Sequence, residues 1–182
     1  MSGTGHTVKS YEEEMQSLND NLVMMGSLTE SQMADAMSAV IKVDKESVDK
    51  IVKSDGKINE LRSIIDNQIT TVLVKRAPMA VDLRITISTM KISHDLERIG
   101  DLAKSVAKKV KPLPVDLPDE LTASLRRLGD LVQKQLKDVL DAYLNKSKEK
   151  AIEIWRKDEQ VDDLTNLAMN EVATYLQKDK KI

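Results

Sequence analysis

Apolar side chains recur along most of this chain at alternating intervals of four and three residues, the spacing that lines up one face of an α-helix. The pattern is cleanest between Ile85 and Val110, where Ile85, Thr89, Ile92, Leu96, Ile99, Ala103, Val106 and Val110 form one stripe. An earlier stripe opens near Thr7 and takes in Tyr11, Met15, Leu18, Leu22, Met25, Ala36, Val40 and Val43, interrupted only weakly at Gly26. Between the two lies a third, made of Val48, Ile51, Ile58, Leu61, Ile65, Ile69 and Val72. Asp44 is placed to cap that middle helix, and Lys75 and Arg76 suit the negative end of its dipole. Pro78 stops it and opens the next helix near its first turn. Three helices of this size, each about 45 Å long, joined by tight turns predict an up-down-up bundle. Residues 1–5 (MSGTG) read as a disordered leader.

Residues 111–118 (KPLPVDLP) hold three of the four prolines and read as a linker. A fourth helix follows, with Leu121, Leu125, Leu128, Val132, Leu136, Val139 and Tyr143 on its apolar side. A turn at Asn145 to Ser147 leads to a fifth, ending near Leu176. Shifting the chain by 103 residues superposes the two halves: Met33 on Leu136, Met37 on Leu140, Asp44 on Ser147, Ile51 on Ile154, Ile58 on Val161 and Leu61 on Leu164. Helices four and five thus repeat helices one and two. The predicted fold is all-α: a first three-helix unit over residues 6–110, the linker 111–118, and a second unit over 119–182 with two helices. With this period, the counterpart of the third helix would start where the chain stops. The apolar seam of Leu128, Leu136, Val139, Ile154, Val161 and Ala168 is therefore expected to be open, and to be covered by dimerisation through residues 119–176.

Composition sharpens the picture in three places. There is no Phe, one Trp and three Tyr, so aliphatic residues and nine Met must fill the cores. There is no Cys, which excludes disulfides and thiolate metal sites and agrees with a cytoplasmic setting. The net charge of −2, with acids and bases interleaved, gives no reason to expect nucleic-acid binding. The longest charge-free apolar run, near Ile69 to Val74, is far too short to span a bilayer.

On the third helix Glu97 and Asp101 stand one turn apart, three residues after His94, on a face turned away from the apolar stripe. Two carboxylates and an imidazole so placed are one half of a plausible metal site, with a second helix supplying the rest. The same spacing also describes an ordinary solvated face. Asp158 and Asp162 on the fifth helix, and Asp55 with Asn59 on the second, repeat the arrangement at the shoulder of an apolar seam. An acid there is solvated, metal-bound or paired with a nearby Lys or Arg. Asp95, beside the seam, is expected to pair with a base. Asp82 suits the positive end of the third helix. Gly100 in mid-helix implies a close approach, since it costs about 1 kcal/mol against Ala. The lysines at 104, 108, 109 and 111 suit a helix C-terminus.

The run DLERIGDLAKSVAKK (residues 95–109), preceded by APMAVDLR (residues 77–84), resembles the PhoU family of phosphate-uptake regulators, over a span from about His6 to Tyr175. That resemblance implies two three-helix bundles and metal ions held by Glu/Asp-x-x-x-Asp motifs. Glu97 and Asp101 match the motif, as do Asp158 and Asp162, whereas Asn59 departs from it opposite Asp55. It implies a metal-binding adaptor that represses phosphate uptake and the starvation response, contacting the ATPase subunit of the phosphate ABC transporter and the sensor histidine kinase. All-oxygen ligation with one His leaves Mg, Mn, Fe or Zn open.

Two other functions are open to a chain of this kind. One is a metal-free helical scaffold. The other is a carboxylate–metal enzyme, against which stand the order His-x-x-Glu, opposite to that of bundle di-iron sites, and the lack of a Gly-rich phosphate loop. The expected protein is not an enzyme.

Overall fold

The computed structural model describes residues 3–113 and 117–179. They form helices α1 (Gly3–Lys42), α2 (Val48–Arg76), α3 (Ala80–Lys108), α4 (Asp119–Leu144), α5 (Lys148–Arg156) and α6 (Glu159–Asp179), with no strand among them. Helices α1, α2 and α3 pack on one another as a three-helix bundle. Helix α4 lies along α1, and α5 and α6 pack on α4. Residues 114–116 of the linker and the side chain of Leu176 lie outside the described residues.

Three boundaries differ from the expectation. Gly3–Gly5 belong to α1 and not to a leader. Helix α2 starts at Val48, because Asp44 caps a turn ahead of it: its carboxylate accepts the backbone N–H groups of Glu46 (3.1 Å) and Ser47 (3.2 Å) and the Ser47 hydroxyl (2.5 Å). These bonds, the Ser47 hydroxyl foremost, hold the Asp44 carboxyl below the usual carboxylate range. The expected fifth helix is two, broken at Lys157 and Asp158.

All seven residues of the α2 stripe are buried, as are Leu18, Leu22, Met25 and Ala36 of α1. The third helix is rolled relative to its expected stripe. Its buried line is Thr86, Thr89, Ser93, Leu96, Gly100, Ala103, Ala107 and Val110, while Ile85 is exposed and Ile92 and Ile99 flank the core. Small side chains let α3 sit close to α1 and α2. Their hydroxyls cost little there, since each donates within its own helix: Thr86 to Asp82 O (2.8 Å), Thr89 to Ile85 O (3.0 Å) and Ser93 to Met90 O (2.8 Å). Gly100 contributes to this closeness: a Cβ there would stand 3.0 Å from Ile58 Cδ1.

The two halves meet through α1 and α4 in a self-repeating contact. A Cβ on Gly26 would stand 2.8 Å from Leu140 Cδ2, and a Cβ on Gly129 would stand 2.7 Å from Met37 Cε. The 103-residue shift carries Gly26 onto Gly129 and Met37 onto Leu140. The two contacts are therefore one contact used twice, in the manner of a two-fold axis between the repeats. Gly26, a weak interruption in the hydropathy pattern, is the seat of an interhelical side chain.

The seam expected to lie open in the second half is largely covered. Leu136 and Ala168 are buried and Leu128, Ile154 and Val161 are half-buried; only Val139 is exposed. Packing of α4 on α1 and of α5 and α6 on α4 covers it. Among the described residues of this half, the large apolar side chains left exposed are Val139, Leu144, Ile152, Trp155, Leu167, Met169 and Tyr175.

Candidate functional site in the charged seam between α2 and α3

Helices α2 and α3 are joined by a short turn and run antiparallel, so residues of α2 from Arg62 down to Asp55 face residues of α3 from His94 up to Lys104. The rolled position of α3 turns Glu97 toward α2, while Asp101 stays exposed beside Lys104 of its own helix. Each then meets a cation. Arg62 Nη1 donates to Glu97 Oε2 at 2.6 Å, its Nε lies 3.2 Å from Asp66 Oδ2, and its Nη2 lies 2.7 Å from His94 Nε2. Lys104 Nζ stands 2.5 Å from Asp101 Oδ1 and 2.6 Å from Asp55 Oδ2.

Asp55 is the interior member, only 4% exposed. It also accepts from Gln32 Nε2 (3.2 Å) and Asn59 Nδ2 (3.2 Å). Gln32 ties the node to all three helices of the bundle: its Nε2 donates to Gly100 O (2.8 Å) and its Oε1 accepts from the Ser54 hydroxyl (3.3 Å). A buried carboxylate is tolerated when its lone pairs are met by donors and its charge by a counter-charge. Both conditions hold here. The Lys104 ammonium is raised above the ordinary lysine value, first by its bond to Asp101 and then by that to Asp55, against the cost of its own burial.

The proposed ligands are thus distributed as follows. Asp55 and Asp101 share Lys104, and Glu97 and His94 share Arg62. Asp158 and Asp162 are exposed, at the break before α6 and in its first turn, far along the chain from the first group. Among the described residues no three His, Asp or Glu side chains converge as a metal ion requires. The donor set, as arranged, does not fit a metal: an ammonium occupies the space between the two carboxylates that come together. Asp95, expected to pair with a base, is exposed and outside the network. Lys104, read as a helix-terminal charge, belongs to the node. Hydropathy spacing does not single out Arg62 or Gln32. Arg62 sits one residue past the apolar position Leu61, and a Gln inside a stripe is the signal that could have found Gln32.

In the second half the Asp55 node has no counterpart among the described residues. The 103-residue shift takes Gln32 to Gln135, Asp55 to Asp158 and Asn59 to Asp162. Gln135 Nε2 reaches only the Lys157 backbone carbonyl, at 3.4 Å, and Asp158 is left exposed where α5 and α6 part. No third helix meets it there among the described residues.

The PhoU domain family matches residues 22–110 and 125–182 of the chain. The chain is 41% identical over 179 residues to the phosphate-specific transport system accessory protein PhoU homolog of Caulobacter vibrioides, covering 98% of this chain and 78% of that protein. It is 34% identical to the protein of that name from Clostridium acetobutylicum, covering 96% and 80%. Among solved structures, PhoU from Pseudomonas aeruginosa superposes with a TM-score of 0.85 at 32% identity, over 94% of this chain and 82% of that one. The phosphate transport system regulatory protein PhoU from Streptococcus pneumoniae gives 0.84 at 31%, over 92% and 79%.

Proposed function

The chain belongs to the PhoU family, and we propose that it is a negative regulator of phosphate uptake and of the phosphate-starvation response, working by contact and without catalytic turnover. The observation that carries this reading is a similarity that runs through nearly the whole chain to proteins named as phosphate-transport accessory proteins. Its partners in this reading are the ATPase subunit of the phosphate ABC transporter and the sensor histidine kinase, met at the cytoplasmic face of the membrane. No helix among the described residues is long and apolar enough to cross a bilayer; in this reading the membrane is reached through those partners. A second copy of the chain covers the exposed apolar residues of α4, α5 and α6 in the same reading. No step of it runs through a metal ion.

Immobilised chain exposed to the purified ATPase subunit and to the kinase, with and without phosphate, tests the reading. Saturable binding of either partner is expected. Absence of binding to both would remove the adaptor role.

A further inference from the structure

Two carboxylates of the α2–α3 seam come together through a common partner, and that partner is an amine of the same chain. Asp55, from the interior of α2, and Asp101, from α3, both lie within 2.6 Å of Lys104 Nζ. We infer that the Lys104 ammonium stands in this chain where a metal ion would otherwise stand, neutralising Asp55 and Asp101 and keeping divalent cations out of the seam.

Three features carry the inference. An interior carboxylate needs a counter-charge, and a lysine supplies one as a bound ion would. The ammonium has three donors, and two of them are spent on the two acids. Asn59, one turn from Asp55, adds a neutral amide that donates to Asp55 and brings no further negative charge. A divalent ion entering beside Lys104 would meet a positive charge within a few ångströms, and at Asp55 both oxygens are already engaged by Gln32, Asn59 and Lys104. Arg62 acts likewise further along the seam, holding Glu97 and directing its remaining donors to His94 and Asp66. The inference rests on this donor geometry and not on the regulatory reading above.

The test uses the full chain and Mn(II) alone, read by equilibrium dialysis with elemental analysis and by thermal unfolding. The unmodified chain should retain no Mn(II) and show no Mn(II)-dependent rise in melting temperature. Lys104→Ala should bind Mn(II) at least about tenfold more tightly and gain melting temperature with added Mn(II). Adding Asp55→Asn to Lys104→Ala should remove that gain. If Lys104→Ala does not fold, Lys104→Gln, which keeps the reach without the charge, should show the same gain. The inference is overturned if the unmodified chain binds Mn(II) as tightly as the variant. It is equally overturned if the folded variant gains nothing, or if the gain survives Asp55→Asn.

Discussion

At the scale of single residues, the charged groups of the first bundle are unequal in their dependence on one another. Asp55 is buried and has three donors, whereas Lys104 has two acids and partial access to water. Removing the cation strands a buried charge, while removing the acid leaves Lys104 with Asp101. Lys104→Ala should therefore cost about 3 kcal/mol, and Asp55→Leu should cost less; urea denaturation of the two variants decides the order. The Glu14–Arg76 pair gives a pH signature instead. Arg76 Nε and Nη2 reach Glu14 at 2.9 and 2.8 Å, which holds the Glu14 carboxyl below its ordinary value. A depressed folded value means that the stabilisation is complete above the ordinary Glu range and is lost as the pH falls through the folded one. Glu14→Gln should accordingly lower stability at neutral pH and flatten the acid limb of the profile from about pH 4.5 downward, the two proteins converging in acid. An unaltered acid limb in denaturation at stepped pH would show that the pair does not act this way.

At the scale of elements, the helices of the first bundle are legible in the sequence because large aliphatic residues mark them; the α2 stripe is right at every position. The roll of α3 is not legible. A stripe read from hydropathy ranks Ile85, Ile92 and Ile99 above Thr86, Ser93 and Gly100, yet small side chains win where two helices approach closely. That one misreading carries part of the candidate site with it, since Glu97 then points to water and not at Arg62. The break between α5 and α6 is hidden for a different reason: the repeat matches the halves by residue type, whereas Asp55 within α2 is met by Gln32 and Lys104. Asp158 lacks such partners among the described residues. The α1–α4 contact makes a prediction of its own. Gly26→Leu and Gly129→Leu should each destabilise by about 1–3 kcal/mol through overpacking, and by similar amounts, because the same contact is used twice. Gly→Ala at either site should be mild, since only the tips of Leu140 or Met37 must move. Melting curves that move for one leucine variant and not for the other would contradict the two-fold reading.

At the scale of the whole molecule, a three-helix bundle with a self-neutralised polar seam carries a second helical unit on the outer face of α1. Exposed apolar residues are spread over that second unit, with Trp155 76% and Met169 67% exposed. In the reading proposed above, a second copy of the chain covers them. Sedimentation should find a dimer that dissociates in Trp155→Asp with Met169→Asp; a monomer in both proteins would remove the self-association. The central claim, that the molecule restrains phosphate uptake by contact, is tested most directly in a strain from which it has been deleted. A phosphate-repressed reporter in that strain should stay on in abundant phosphate and be switched off again when the chain is supplied. Ordinary repression in the deletion strain, at unchanged transporter levels, would contradict the account.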